Sequence, residues 1–305
     1  MGAASKATCA RSVARHSCVP SRPLTAWAIG RILLWPTGRP AMDAIAATKE
    51  DSPMETTALF ATPDLFQARR VLCVQPHYDD NDIGAGGTVA ALRAAGADIL
   101  YLTATDDLMG VIDPALPAEV AAARLRAEQE EAGAIIGVGA HYRLGYPDAG
   151  AYDYLSLRRD IIRHIRLLRP DLLLTVDPWL PYEAHRDHRQ VGLATAEAFA
   201  LYNLPRLATD PQVDAAFAPY EMLGIGFYFT EAPNTLVDIT PYRETKYRAL
   251  ACYRSQLTPE AVAQLTFLLD LKQREYGQRK GCAYAEALKL LRPGALHCNV
   301  DARRM

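Results

Sequence analysis

From Arg70 onward the chain alternates between two hydrophobic periods, and this constrains its fold more than any other feature. Residues 70–76 read as a strand, and residues 86–96 as a helix opened by glycines and closed by one. Residues 99–103 read as a second strand, 118–136 as an Ala-, Glu- and Arg-rich helix ended at Gly137, and 141–144 as a short strand. An amphipathic helix over 157–168 stops before Pro170, and a strand follows over 171–176. Strands that alternate with helices of this length predict an α/β fold: a mostly parallel sheet with helices on both faces. After Leu201 the pattern loosens into strands at 226–229 and 235–239 and helices at 242–255 and 259–276, placed to cover the sheet or wall a pocket.

Composition bounds the function. With 305 residues, half of them hydrophobic, the chain can bury one sizeable core. The economical organisation is a single catalytic domain over residues 61–305 with a C-terminal helical and strand elaboration. Residues 1–60 read as a disordered or mis-started extension: no acid precedes Asp43, the segment carries several arginines, and Met42 and Met54 offer later starts. A net charge of −2 gives no footprint for nucleic acid, and no window supplies the ~18 apolar residues of a membrane span, which points to a small-molecule partner. The six cysteines show no Cys-x-x-Cys spacing, so a reducing, cytoplasmic setting is expected.

Two short clusters carry the chemistry. His77-Tyr78-Asp79-Asp80 follows the apolar run 71–74, and His185-Arg186-Asp187-His188 comes soon after the run 172–176. Both therefore belong near the carboxyl ends of strands, where open α/β sheets bind ligands. Hydrolytic zinc sites use three His, Asp or Glu ligands and leave one position for water. His77 and Asp80 can turn toward one point, and a histidine of the second cluster can supply the third ligand. Asp79, between them, is placed to take a proton as general base, and the other histidine of the second cluster is free to act on the oxyanion or the leaving group. Asp82 and Asp187 are candidate partners for the ligating histidines. Asp106 and Asp107 either orient the site or form a turn, and Trp179 and Tyr182 flank the second cluster.

The run Gly84-Ala85-Gly86-Gly87 precedes a helix, as a dinucleotide phosphate loop does. Three carboxylates stand between it and the strand, however, and would repel a phosphate, which argues against a nucleotide binder or a methyltransferase. The glycines are better read as letting a helix N-terminus pack close to the metal loop.

His77-Tyr78-Asp79-Asp80 with Gly84-Ala85-Gly86-Gly87-Thr88, and His185-Arg186-Asp187-His188, resemble the His-Pro-Asp-Asp, Gly-Gly-Thr and His-Pro-Asp-His signatures of the PIG-L/LmbE-like zinc N-deacetylases. The stretches 177–185, 144–148 and 237–240 are most similar to the family's diacetylchitobiose deacetylase branch. The resemblance implies a Rossmann-like deacetylase fold and removal of acetyl from the 2-amino group of an N-acetylglucosamine unit, using Zn2+ or another divalent ion. It places the metal ligands on His77, Asp80 and His188, the general base on Asp79, polarisation of the amide carbonyl on His185, and binding of sugar hydroxyls on Asp148. Proton return to the nitrogen falls to Asp79 or His185. It further implies a homo-oligomer, a trimer or hexamer. Two alternatives are an amidase acting on another N-acyl glucosamine conjugate, such as a thiol conjugate or an antibiotic glycoside, and a non-catalytic sugar-binding relative. Tyr78 and Arg186 replace the family's prolines, and Leu125 stands where a sugar-binding arginine is expected, which leaves Arg124 as the candidate substitute.

Overall fold

A computed structural model describes residues 61–305, so the extension expected over residues 1–60 lies outside the described residues. The strands are β1 (Arg70–Gln75), β2 (Asp98–Thr105), β3 (Ala140–Tyr146), β4 (Leu172–Val176), β5 (Gly224–Tyr228), β6 (Thr235–Asp238) and β7 (Ala285–Leu291). They form one seven-stranded sheet in the order β3-β2-β1-β4-β5-β7-β6. The ladders from β3 through β5 are parallel, and β7 runs antiparallel to both β5 and β6. The helices are α1 (Asp80–Ala94), α2 (Ala118–Ile136), α3 (Tyr154–Leu168), α4 (Arg186–Leu201), α5 (Pro211–Ala216), α6 (Arg243–Leu250) and α7 (Pro259–Lys280).

The period-2 alternation of the central strands divides the core between two layers. Val71 and Cys73 of β1 face one side, where they pack with Val89 and Leu92 of α1, Leu125 of α2 and Leu250 of α6. Leu72 and Val74 face the other, with Ile161 and Ile165 of α3 and Val191 and Phe199 of α4. Because both faces are covered, β4 is buried at every position, as parallel strands between helices are.

The chain adds β2 and β3 on one side of β1, then returns to lay β4 and β5 on the other. A crevice opens at the carboxyl ends of β1 and β4, where the strand order reverses. Each of these two strands leads to a helix at whose start one of the His/Asp clusters lies, the first mostly in the loop before α1 and the second in the N-cap and first turn of α4.

The structure departs from the sequence reading at several elements. Helix α1 begins at Asp80, so the glycines lie in its interior rather than at its start. They serve close packing there: a Cβ on Gly84 would fall 2.2 Å from the Tyr228 ring, and one on Gly87 2.8 Å from Ile239. Helix α6 is shorter than 242–255, ending at Leu250. Strand β7 is absent from the sequence reading because Ala-Glu-Ala-Leu-Lys-Leu-Leu has helical composition, which its pairing with β5 and β6 overrides.

Candidate metal centre and active site

The loop between β1 and α1 is tied down from beneath and from the side. Gln75, fully buried, donates to the Tyr78 carbonyl at 3.2 Å and accepts from the Asn81 amide at 2.8 Å. Asp107 accepts from the Tyr78 amide at 3.0 Å, and Asp80 Oδ2 from the His77 amide at 2.8 Å. Asp79 is the N-cap residue of α1, yet its carboxylate makes no capping hydrogen bond and so remains available for chemistry. On the other side of the crevice His185 is the N-cap of α4, which puts His188 in that helix's first turn.

These elements bring six sequence-predicted residues together. His77 Nδ1 lies 3.2 Å from Asp80 Oδ2, and His188 Nε2 lies 3.2 Å from Asp80 Oδ1. The donor atoms of His77, Asp80 and His188 all fall within 4.8 Å of one another. Two imidazoles and a carboxylate converging on one point fit a hydrolytic divalent ion. The far nitrogen of His77, Nε2, meets Asp148 Oδ1 at 3.2 Å and Asp187 Oδ2 at 3.7 Å. The His185 ring is exposed and stands 4.7 Å from the His77 ring and 5.0 Å from the His188 ring. Asp148 is buried, held by its backbone amide on Asp106 at 3.0 Å and by the Met109 amide on its Oδ2 at 2.9 Å.

Charge is strongly organised here. Burial alone would raise the Asp80 carboxyl, but hydrogen bonds from His188 and His77 outweigh it and hold it well below the usual range. Burial, followed by the charges of Asp80 and Asp107, pushes Asp79 well above the usual carboxylate range. Burial opposes a charged His77, yet hydrogen bonds to Asp148, Asp187 and Asp80 raise its proton affinity.

Two sequence candidates lie elsewhere. Asp82 accepts from Tyr101 at 2.7 Å and Tyr253 at 2.6 Å, so it partners core tyrosines rather than a ligating histidine. Arg124 is exposed and lines a cavity between α2 and the α6–α7 junction that includes none of the clustered residues. One position past the buried Leu125, Arg126 is likewise exposed, and its charge bears on the Tyr78 phenol. Sequence reading missed Gln75 and Glu183. Glu183 accepts from the His185 amide at 2.7 Å and faces His188 Nδ1 at 3.4 Å. The signal for Gln75 was a lone polar residue closing an apolar strand, and that for Glu183 an acid two residues before a histidine cluster.

Against known proteins, the profile of the PIG-L family (GlcNAc-PI de-N-acetylase) matches residues 72–199, the stretch that spans both clusters. The diacetylchitobiose deacetylase of Thermococcus kodakarensis is 36% identical over 228 residues, covering 74% of this chain and 84% of that protein. The chain belongs to the PIG-L family. A probable N-acetyl-alpha-D-glucosaminyl L-malate deacetylase 2 of Bacillus anthracis is 29% identical over 214 residues, covering 68% of this chain and 87% of its own. Among solved structures, the N,N'-diacetylchitobiose deacetylase of Pyrococcus horikoshii superposes with a TM-score of 0.71 at 35% identity, over 76% of this chain and 86% of that one. Within the PIG-L pattern, the residues replacing proline are both packed. The Arg143 guanidinium lies 5.6 Å over the Tyr78 ring, and Arg186 lies 5.3 Å over the Tyr152 ring while donating to the Gly150 carbonyl.

Proposed function

We propose that this PIG-L chain hydrolyses the N-acetyl group of an N-acetylglucosamine-containing sugar such as N,N'-diacetylchitobiose, releasing acetate and a free amine. The observation that carries this reading is the convergence of His77, Asp80 and His188 beside Asp79 and His185 at the strand-order reversal. The first three would hold zinc or another divalent ion, which when bound supplies a Lewis acid for the acetyl carbonyl and acidifies a water. Asp79 takes the proton of the attacking water, a role supported by its raised proton affinity and by a carboxylate that caps no helix amide. His185, at the exposed rim, stabilises the developing oxyanion. Asp148 takes sugar hydroxyls through the lone pairs left by His77 and Met109. The amine receives its proton from Asp79 or His185.

Residues 61–305 act as one catalytic domain in this reading, in the cytoplasm. Free thiols at Cys73, Cys252, Cys282 and Cys298 support a reducing setting, and among the described residues no helix is long and apolar enough to cross a membrane. Self-association, as a trimer or hexamer, is supported by α7, where Phe267, Leu268 and Leu271 are each more than half exposed. Sedimentation of Phe267→Glu should show a smaller particle than the unsubstituted protein.

The decisive assay incubates zinc-loaded protein with N,N'-diacetylchitobiose and with N-acetylglucosamine, and measures acetate with and without a chelator. Chelator-sensitive acetate from either sugar supports the reading, and the ratio of the two rates reports how far the pocket extends. No acetate from either, with zinc still bound, would move the activity to another N-acyl glucosamine conjugate or to a binding role.

A further inference from the structure

Each imidazole that gives one nitrogen to a metal keeps its proton on the other, and the group accepting that proton fixes the tautomer and the ring plane. At His77 the accepting groups are Asp148 and Asp187, which face Nε2 and leave Nδ1 toward Asp80. At His188 the geometry is inverted. Nε2 faces Asp80 at 3.2 Å, and Nδ1 faces Glu183 Oε2 at 3.4 Å. Among the described residues, Asp80 and Glu183 are the acids within ion-pair reach of His188.

We propose that Glu183 is the positioning residue of the centre. Its carboxylate keeps the His188 proton on Nδ1 and so directs the Nε2 lone pair at the point shared with His77 and Asp80. The proposal rests on the reading of those three side chains as metal ligands.

The local backbone is shaped for this task. Tyr182, the preceding residue, adopts φ 64, a left-handed conformation uncommon outside glycine, while its side chain is fully exposed and gains no packing in return. Tyr182 is the third residue of a turn closed by the Glu183 amide on the Leu180 carbonyl at 3.2 Å, and this turn brings the Glu183 side chain back over the start of α4. One carboxylate then meets two partners, the His185 amide on Oε1 at 2.7 Å and the His188 ring on Oε2. A negative charge there also suits the positive end of the helix.

This double engagement makes glutamine a poor substitute. A glutamine offers one acceptor oxygen, so it satisfies either the His185 amide or the His188 ring. If the amide N–H2 faces Nδ1, it favours the tautomer with its proton on Nε2, which withdraws the lone pair needed at the metal.

The test is competition for zinc between the metal-free protein and a chromophoric chelator, run on the unsubstituted chain, Glu183→Gln and Glu183→Ala. Both variants are expected to lose roughly 10- to 100-fold in zinc affinity. The metal-free melting temperature of Glu183→Gln is expected to stay close to that of the unsubstituted chain. Loading with cobalt(II) should give an altered visible absorption spectrum in both variants, a change that a merely structural residue would not produce. Zinc affinity within twofold of the unsubstituted protein in both variants overturns the proposal. An affinity loss matched by collapse of the metal-free fold, with an unaltered cobalt spectrum, also overturns it and assigns Glu183 to capping α4. Failure of the unsubstituted chain to bind zinc would instead remove the ligand reading itself.

Discussion

Replacing Lys246 with methionine removes the cation from an ion pair whose side chains are 1% and 3% exposed, and the consequences extend to the helix that carries Asp80. Lys246 Nζ donates to Glu286 Oε1 at 2.5 Å and to the Ile83 carbonyl of α1 at 2.7 Å. Glu286, from β7, accepts from the amides of Gly87 and Thr88 in the same helix, at 3.1 and 2.7 Å. Because Gly86 and Gly87 carry no side chains, the carboxylate can reach a helical backbone from the side. Lys246→Met therefore leaves a buried carboxylate without its counter-charge, a loss of about 3–5 kcal/mol. At 2–4 °C per kcal/mol for a domain of this size, the melting temperature should fall by about 6–20 °C. Equilibrium urea unfolding and thermal scans of metal-free protein measure both. In the pair Lys246→Met with Glu286→Gln no charge is stranded, so the double variant should retain about 2 kcal/mol relative to the sum of the singles. A Lys246→Met cost below about 1 kcal/mol, or simple additivity, would refute the reasoning, because an uncompensated buried charge cannot be that cheap.

Other consequences can be checked directly. Asp79→Asn should keep zinc yet lose about 10²- to 10⁴-fold in turnover, whereas His188→Ala should lose the zinc itself; metal analysis beside acetate release separates the two, and a joint fall of both quantities in both variants would refute the division between base and ligand. Gly84→Ala drives a Cβ to within 2.2 Å of the buried Tyr228 ring, whose hydroxyl holds Asn81, so it should destabilise by about 1–3 kcal/mol despite the better helix propensity of alanine. In the metal-free protein at pH 7, hydrogen bonds to Asp148, Asp187 and Asp80 outweigh burial and keep His77 protonated. An incoming ion must displace that proton, so zinc affinity should rise with pH and binding should release roughly one proton from this ring. Calorimetry in two buffers of different ionisation enthalpy measures the release, and none at pH 7 would contradict the assignment.

The sheet and the location of the crevice were legible because they rest on periodicity. Leu72, Val74 and the β4 run declare buried parallel strands, and the His/Asp clusters that follow them mark the ends of β1 and β4. Elements held by distant partners were not legible. Strand β7 has the composition of a helix and becomes a strand through pairing with β5 and β6. The start of α1 was misplaced because glycines ordinarily interrupt helices, whereas here Tyr228, Lys246 and Ile239 press on the positions where side chains would stand. Asp82 sits beside His77 and Asp80 in sequence, but helical geometry turns it toward Tyr101 and Tyr253. Glu183 escaped notice because its meaning depends on a left-handed turn at Tyr182, which residue identity does not announce.

The reversal of strand order also bears on the history of each molecule. His77 and Asp80 emerge with β1, but His188 belongs to α4 and is made only after β2, β3 and β4 and their crossovers. Bringing the two halves together closes a long loop, and its entropic cost falls on the chain before any ion can reward it. In the proposed reading, a nascent chain ending at β3 would hold two of the three ligands and so would grip a divalent ion weakly. Once β4 has paired with β1, an ion held by all three of the proposed ligands would stabilise the completed sheet in proportion to the logarithm of its free concentration. In that reading metal loading would be a late event in folding, and it would hold closed the seam between the first-made and later-made halves of the sheet.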